Sequence, residues 1–123
     1  MARRVILVVE DNPFNRELVV DLLQAAGYTV LQAEDGVGLP ERVKQERPDL
    51  ILLDLHLPGV DGITLARHLK ADPETRGIPL LALTADARQE KQARALEAGF
   101  EGYLTKPLDT NGLVQTIGQI LCQ

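Results

Sequence analysis

Aromatic residues are scarce in this chain: no tryptophan, two phenylalanines and two tyrosines, 3% of 123 residues. That disfavours a platform on which nucleobases stack. Positive charge is also in deficit, with 13 Lys and Arg against 18 Asp and Glu and a formal net charge of −5. A nucleic-acid footprint needs the opposite balance. The single cysteine, Cys122, excludes a disulfide framework and points to a reducing, cytoplasmic setting. No apolar run is long. The opening MARRVILVVED has only Val5 to Val9 between its arginines and Glu10, too short for a signal-peptide core or a membrane span.

What is present suits one domain over residues 1–123. The chain is 45% hydrophobic and 25% charged, enough apolar material for one core without structural metal. Arg4 to Val9 reads as a buried strand ending at EDNP. Phe14, Leu18, Leu22 and Ala26 recur at a helical period, with Asn12 as cap, Pro13 in the first turn and Gly27 as stop. Tyr28 to Ala33 is a weaker strand, and Gly36 to Glu46 a second helix. Asp49 to Asp54 is a third strand, PGVDG a loop, and Ile63 to Leu69 a third helix. Ile78 to Thr84 is a fourth strand, and Ala87 to Ala98 a helix with a thin apolar stripe, expected to be the loosest. Glu101 to Leu104 is a fifth strand. Leu108 to Leu121 is a last helix, with Leu113, Ile117, Ile120 and Leu121 on one face.

Strict strand–helix alternation with short connections implies an α/β fold, a parallel sheet covered by helices on both faces. Strands 1, 3 and 4 are near-continuous apolar runs and belong in the centre; strands 2 and 5 are poorer and belong at the edges. The order 2-1-3-4-5 satisfies both conditions and puts a topological switch between strands 1 and 3, where sites form at the carboxyl ends. Strand 1 ends in Glu10 and Asp11, strand 3 in Asp54, strand 4 in Thr84, and strand 5 is followed by Lys106 and Pro107. Three acids that converge repel one another unless a cation sits among them. Mg²⁺ fits such oxygen donors, with waters and a phosphate oxygen completing its shell; Mn²⁺ is the alternative. A metal and a phosphoryl group are expected together, with Asp54 as nucleophile and Thr84 and Lys106 on the phosphoryl oxygens.

Glu10-Asp11-Asn12, DLHLPGVDG from Asp54, Thr84-Ala85 and Tyr103-Leu104-Thr105-Lys106-Pro107 resemble the receiver domain of two-component response regulators, over the whole chain and in the right order. The resemblance implies a (βα)5 doubly wound, flavodoxin-like fold, whose strand order is the same 2-1-3-4-5. It implies that a histidine kinase or histidine phosphotransfer protein donates phosphate to Asp54. Glu10, Asp11 and Asp54 would hold Mg²⁺ with the backbone carbonyl of His56. Lys106 would pair with the phosphoryl group across a cis peptide to Pro107. Thr84 and Tyr103 would move as a switch, changing the face made by helix 4, strand 5 and helix 5. Asn15 would lie at the crevice rim, and Asp86 and His56 would tune phosphate lifetime. A downstream protein target is expected, with no direct nucleic-acid or membrane partner, as a monomer or a phosphorylation-dependent dimer. The chain is expected to be no enzyme beyond its own phosphorylation and dephosphorylation.

Taken singly, several of these residues read more plainly. Lys106 alone is a surface lysine, Thr84 a strand end or helix cap, and Tyr103 packs or switches with equal ease. The side chains of His56 and His68 read as solvent-facing. An aspartyl phosphohydrolase would want a second Asp at position 56, where this chain has His. A flavin carrier would want a hydroxyl-rich loop where EDNPFN is acidic. A receiver that binds partners without phosphorylation remains the third alternative. The start at Met1 and the stop after the fifth helix favour a stand-alone receiver over one excised from a larger regulator or hybrid kinase.

Overall fold

Strands and helices alternate in the computed structural model, which describes residues 4–57, 59, 61–85, 88–105 and 110–121. The elements are β1 (Val5–Val9), α1 (Pro13–Ala25), β2 (Thr29–Ala33), α2 (Leu39–Glu46), β3 (Leu50–Asp54), α3 (Gly62–Ala71), β4 (Leu80–Thr84), α4 (Gln89–Ala98), β5 (Gly102–Thr105) and α5 (Thr110–Leu121). The strands form one parallel sheet in the order β2-β1-β3-β4-β5. The apolar runs are central and the poorer ones lie at the edges, because a central parallel strand is buried on both faces.

Alternation along the strands divides the core in two. Leu7, Val9, Ile51, Leu53, Leu80 and Ala82 face α2, α3 and α4. Ile6, Val8, Leu50, Leu52, Leu81 and Leu83 face α1 and α5, where Leu113 and Ile117 are buried and Ile120 and Leu121 pack alongside. The expected face of the last helix is therefore the one it uses. Several elements start later than the sequence suggests, and two of these delays have a plain backbone cause. The second helix begins at Leu39 rather than Gly36, because Gly38 stands in the left-handed region at φ 67° and interrupts the helical backbone. The fourth strand begins at Leu80 rather than Ile78, since Pro79 has no N–H to give a ladder.

The face of α1 is a larger correction. The expected stripe, Phe14, Leu18, Leu22 and Ala26, is mostly turned outward: Phe14 is 85% exposed and Leu18 46%. The buried residues are Val19, Val20 and Leu23. Asn12 caps the helix as expected, its Oδ1 accepting from the N–H groups of Phe14 and Asn15 at 2.9 and 3.2 Å. That cap sets where the helix starts, and burial of Val19, Val20 and Leu23 sets how it is rolled. No described helix is long and apolar enough to cross a membrane.

Candidate functional site

The register brings the acids together. Val9 of β1 pairs with Leu53 of β3, so the next residues, Glu10 and Asp54, leave neighbouring strands at one level. Asp11 follows in the turn. Carboxylate oxygens of Glu10, Asp11 and Asp54 all lie within 4.8 Å of one another. Glu10 is fully buried and Asp54 only 2% exposed, while Asp11 faces solvent. Asp54 is thus the tip of a core strand, as expected, though it is nearly covered there rather than open to the crevice. At 4.8 Å two ionised carboxylates repel by about 3 kcal/mol at an effective dielectric constant of about 20. A divalent cation among them turns that repulsion into attraction.

Backbone and side-chain hydrogen bonds fix this corner. The Glu10 N–H donates to the Ala33 carbonyl at 3.0 Å. Glu10 Oε1 accepts the Asn12 N–H at 3.2 Å. Its carbonyl accepts from Arg16 Nη1 at 2.8 Å. On β3, Asp54 Oδ1 accepts the His56 N–H at 2.9 Å, which fixes the rotation of the carboxylate. The resemblance assigns the His56 carbonyl to the cation; what the geometry displays is its N–H on Asp54, and an exposed imidazole.

The loop after Asp54 folds back tightly. The Leu55 N–H donates to Leu83 O at 3.0 Å, and the Gly62 N–H to Leu55 O at 3.2 Å. His56 and Asp61 form an antiparallel bridge, and Asp61 Oδ1 caps α3 through the Ile63 N–H at 3.2 Å. A Cβ at Gly62 would lie 2.7 Å from Leu55 Cα and 2.8 Å from Asp54 O, distances no side chain tolerates without a backbone shift. Glycine is what lets α3 start against the strand that carries Asp54.

Thr84 is fully buried at the end of β4. Asp54 pairs with Leu83, so Thr84 stands one residue further along the neighbouring strand. Tyr103 pairs with Ala82 and packs, half-buried, against the α2–α3–α4 side of the core. Asn15 lies in the first turn of α1. His68 is exposed on α3. Lys106, Pro107 and Asp86 lie outside the described residues.

Two residues matter here more than the sequence suggests. Gly62 reads as a turn residue, although a glycine immediately inside a helix start often marks a close backbone approach. Arg16 is the other. Its signal is that it heads the buried stripe of α1: 16, 19, 20 and 23 follow the i, i+3, i+4, i+7 spacing.

The profile of the response regulator receiver domain family matches residues 6–118. The chain is 37% identical over 116 residues to the polar-differentiation response regulator DivK of Brucella anthropi, covering 94% of each. Among solved structures it is similar to the receiver domain of a sensor histidine kinase of Pseudomonas aeruginosa, with a magnesium ion coordinated in the active site cleft: 34% identity, TM-score 0.90, covering 99% of this chain and 100% of that one. It is also similar to the chemotaxis response regulator CheY4 of Vibrio cholerae, at 28% identity and TM-score 0.90, covering 97% of this chain and 99% of that one.

Proposed function

The chain belongs to the response regulator receiver domain family, and on that premise we propose that it is a phosphorelay receiver whose Asp54 takes a phosphoryl group from a phosphohistidine of a histidine kinase or histidine phosphotransfer protein. The observation that carries this reading is the meeting of three carboxylate oxygens within 4.8 Å at the carboxyl ends of β1 and β3.

The donor set fits a hard divalent cation. Mg²⁺ takes a few carboxylate oxygens at a corner it shares with water and phosphate, and Mn²⁺ accepts the same donors. Glu10, Asp11 and Asp54, with the His56 carbonyl, would hold it. When bound, the ion supplies neutralising charge to the phosphoryl oxygens. The magnesium described for the Pseudomonas aeruginosa receiver supports the assignment.

The chain's own residues do the rest. An oxygen of the Asp54 carboxylate attacks phosphorus, and the P–N bond to the donor imidazole breaks. The electron pair stays on that nitrogen, which takes up a proton, and Asp54 is left as a mixed anhydride. The His56 N–H keeps the carboxylate turned for attack. Burial of Glu10 and Asp54 limits the water around their carboxylates and strengthens their interaction with a bound cation. In this reading Lys106 pairs with the phosphoryl oxygens and Thr84 donates its hydroxyl to one of them. Thr84 and Tyr103 carry the change to the α4–β5–α5 face, where a downstream protein docks. The net charge of −5 suits protein partners better than DNA. The chain then works as a switch that catalyses only its own phosphorylation and dephosphorylation.

Intact-mass measurement after incubation with acetyl phosphate and Mg²⁺ tests this. The expected result is a gain of one phosphoryl group that disappears in Asp54→Asn and with EDTA. Labelling that survives Asp54→Asn would place the acceptor elsewhere, and labelling without metal would remove the cation from the mechanism.

A further inference from the structure

Arg16 occupies a place where a charged side chain is unusual. It heads the α1 stripe whose other members, Val19, Val20 and Leu23, are buried, and arginine is seldom drawn inward unless its head group is bonded. The head group is bonded to the Glu10 carbonyl, at 2.8 Å from Nη1. That carbonyl and the Asp11 N–H belong to one planar peptide unit. Holding the carbonyl therefore fixes ψ of Glu10 and φ of Asp11, and with them the direction in which the Asp11 side chain leaves the turn. Glu10 is tied through its N–H to Ala33 and through Oε1 to Asn12. Asp11 faces solvent, so its carboxylate depends on the backbone for its aim.

We infer that Arg16 is a positioning residue for the divalent-cation site, setting the divergence of the Glu10 and Asp11 carboxylates through the peptide between them. The inference rests on the cation reading given above. It has a discriminating sign, because two effects of the guanidinium oppose each other. As a positive charge beside a cation site, it weakens cation binding, and its removal should tighten it. As a clamp on the turn, it strengthens binding, and its removal should loosen it. Loss of groups that orient metal ligands costs about 10–100-fold in affinity, whereas a charge bordering solvent is screened. The clamp should win.

Truncation at this site should leave the fold intact. Arg16 borders a surface cleft of about 380 Å³ that Pro13, Glu17, Val20, Asp21 and Gln24 also line. Arg16→Ala widens that cleft and makes no sealed void of the kind that destabilises a core.

The test is calorimetric titration of wild type, Arg16→Ala and Arg16→Lys with Mg²⁺, with the melting midpoint of each measured in EDTA. We expect Arg16→Ala to melt close to wild type and to bind Mg²⁺ about tenfold more weakly, and Arg16→Lys, which keeps a donor, to recover part of the loss. Unchanged or tighter binding by Arg16→Ala would overturn the inference. If Arg16→Ala does not fold, Arg16→Gln serves in the same comparison. Wild type that binds no Mg²⁺ would instead overturn the reading of the site itself.

Discussion

At the β1–β3 end of the sheet, Glu10 is held through its N–H, its carbonyl and its carboxylate, and Asp54 is oriented by the next turn of chain. On the β4–β5 side, α4 rests on two small residues, Ala95 and Ala98, and leaves Leu96 55% exposed. Its N-cap, Arg88, makes no side-chain capping bond to the first turn, since a guanidinium carries no acceptor. One region is tied at many points by short polar contacts, the other by little apolar area. Phosphoryl transfer needs fixed charges, whereas a switch needs an element whose alternative positions differ by little free energy. The difference between the two regions is the one that the proposed receiver function requires.

The comparison is broken most strongly at Gly62. An alanine there presses on the backbone of Leu55 and Asp54, and overpacking of this kind costs about 1–3 kcal/mol. Gly62→Ala should lower the urea midpoint and slow labelling of Asp54 by acetyl phosphate. A variant equal to wild type in both would show that the loop has slack and that the β1–β3 end is less rigid than described. The counterpart on the loose side is Leu96→Gln. With its side chain largely in solvent, the change should alter stability by no more than about 0.5 kcal/mol and leave the labelling rate unchanged. A large loss of stability would mean that α4 is anchored through Leu96 after all.

The smallest effect belongs to an ion pair outside both regions. Lys44 Nζ lies 2.7 Å from Asp72 Oδ2. The hydrogen bond from Lys44 holds Asp72 below its ordinary 3.8, and the same bond raises Lys44 above its ordinary 10.5. The lowered carboxylate favours the folded state above its unfolded pKa, and that gain fades as pH falls through the lowered folded value. The raised ammonium favours the folded state below its ordinary value, and that gain fades as pH rises through the raised one. Urea midpoints of wild type and Lys44→Met should therefore differ slightly near neutrality and converge below 3.8 and above 10.5. A difference that persists unchanged in acid would assign the effect to packing of the lysine stem.

The strand order was legible because burial on both faces demands the continuous apolar runs of β1, β3 and β4. The acid cluster was legible because parallel strands place their ends side by side, so residues 10, 11 and 54 meet by topology alone. The roll of α1 was not. It carries two candidate stripes, and the more apolar one at 14, 18 and 22 is mostly outward. The stripe that is buried begins with an arginine, which only makes sense once the Glu10 carbonyl is seen beside it. Hydrogen bonds to backbone atoms leave no trace in a pattern of apolar residues. The close approach at Gly62 was hidden for a similar reason, since a glycine in PGVDG reads first as a turn.

Mapping the phosphoryl group to one residue tests the central claim most directly. Borohydride converts an aspartyl phosphate to homoserine, which peptide mass spectrometry locates after treatment with acetyl phosphate. The account predicts homoserine at position 54 alone, and only when Mg²⁺ was present. Homoserine at position 11 or elsewhere, or equal conversion without the metal, would contradict it.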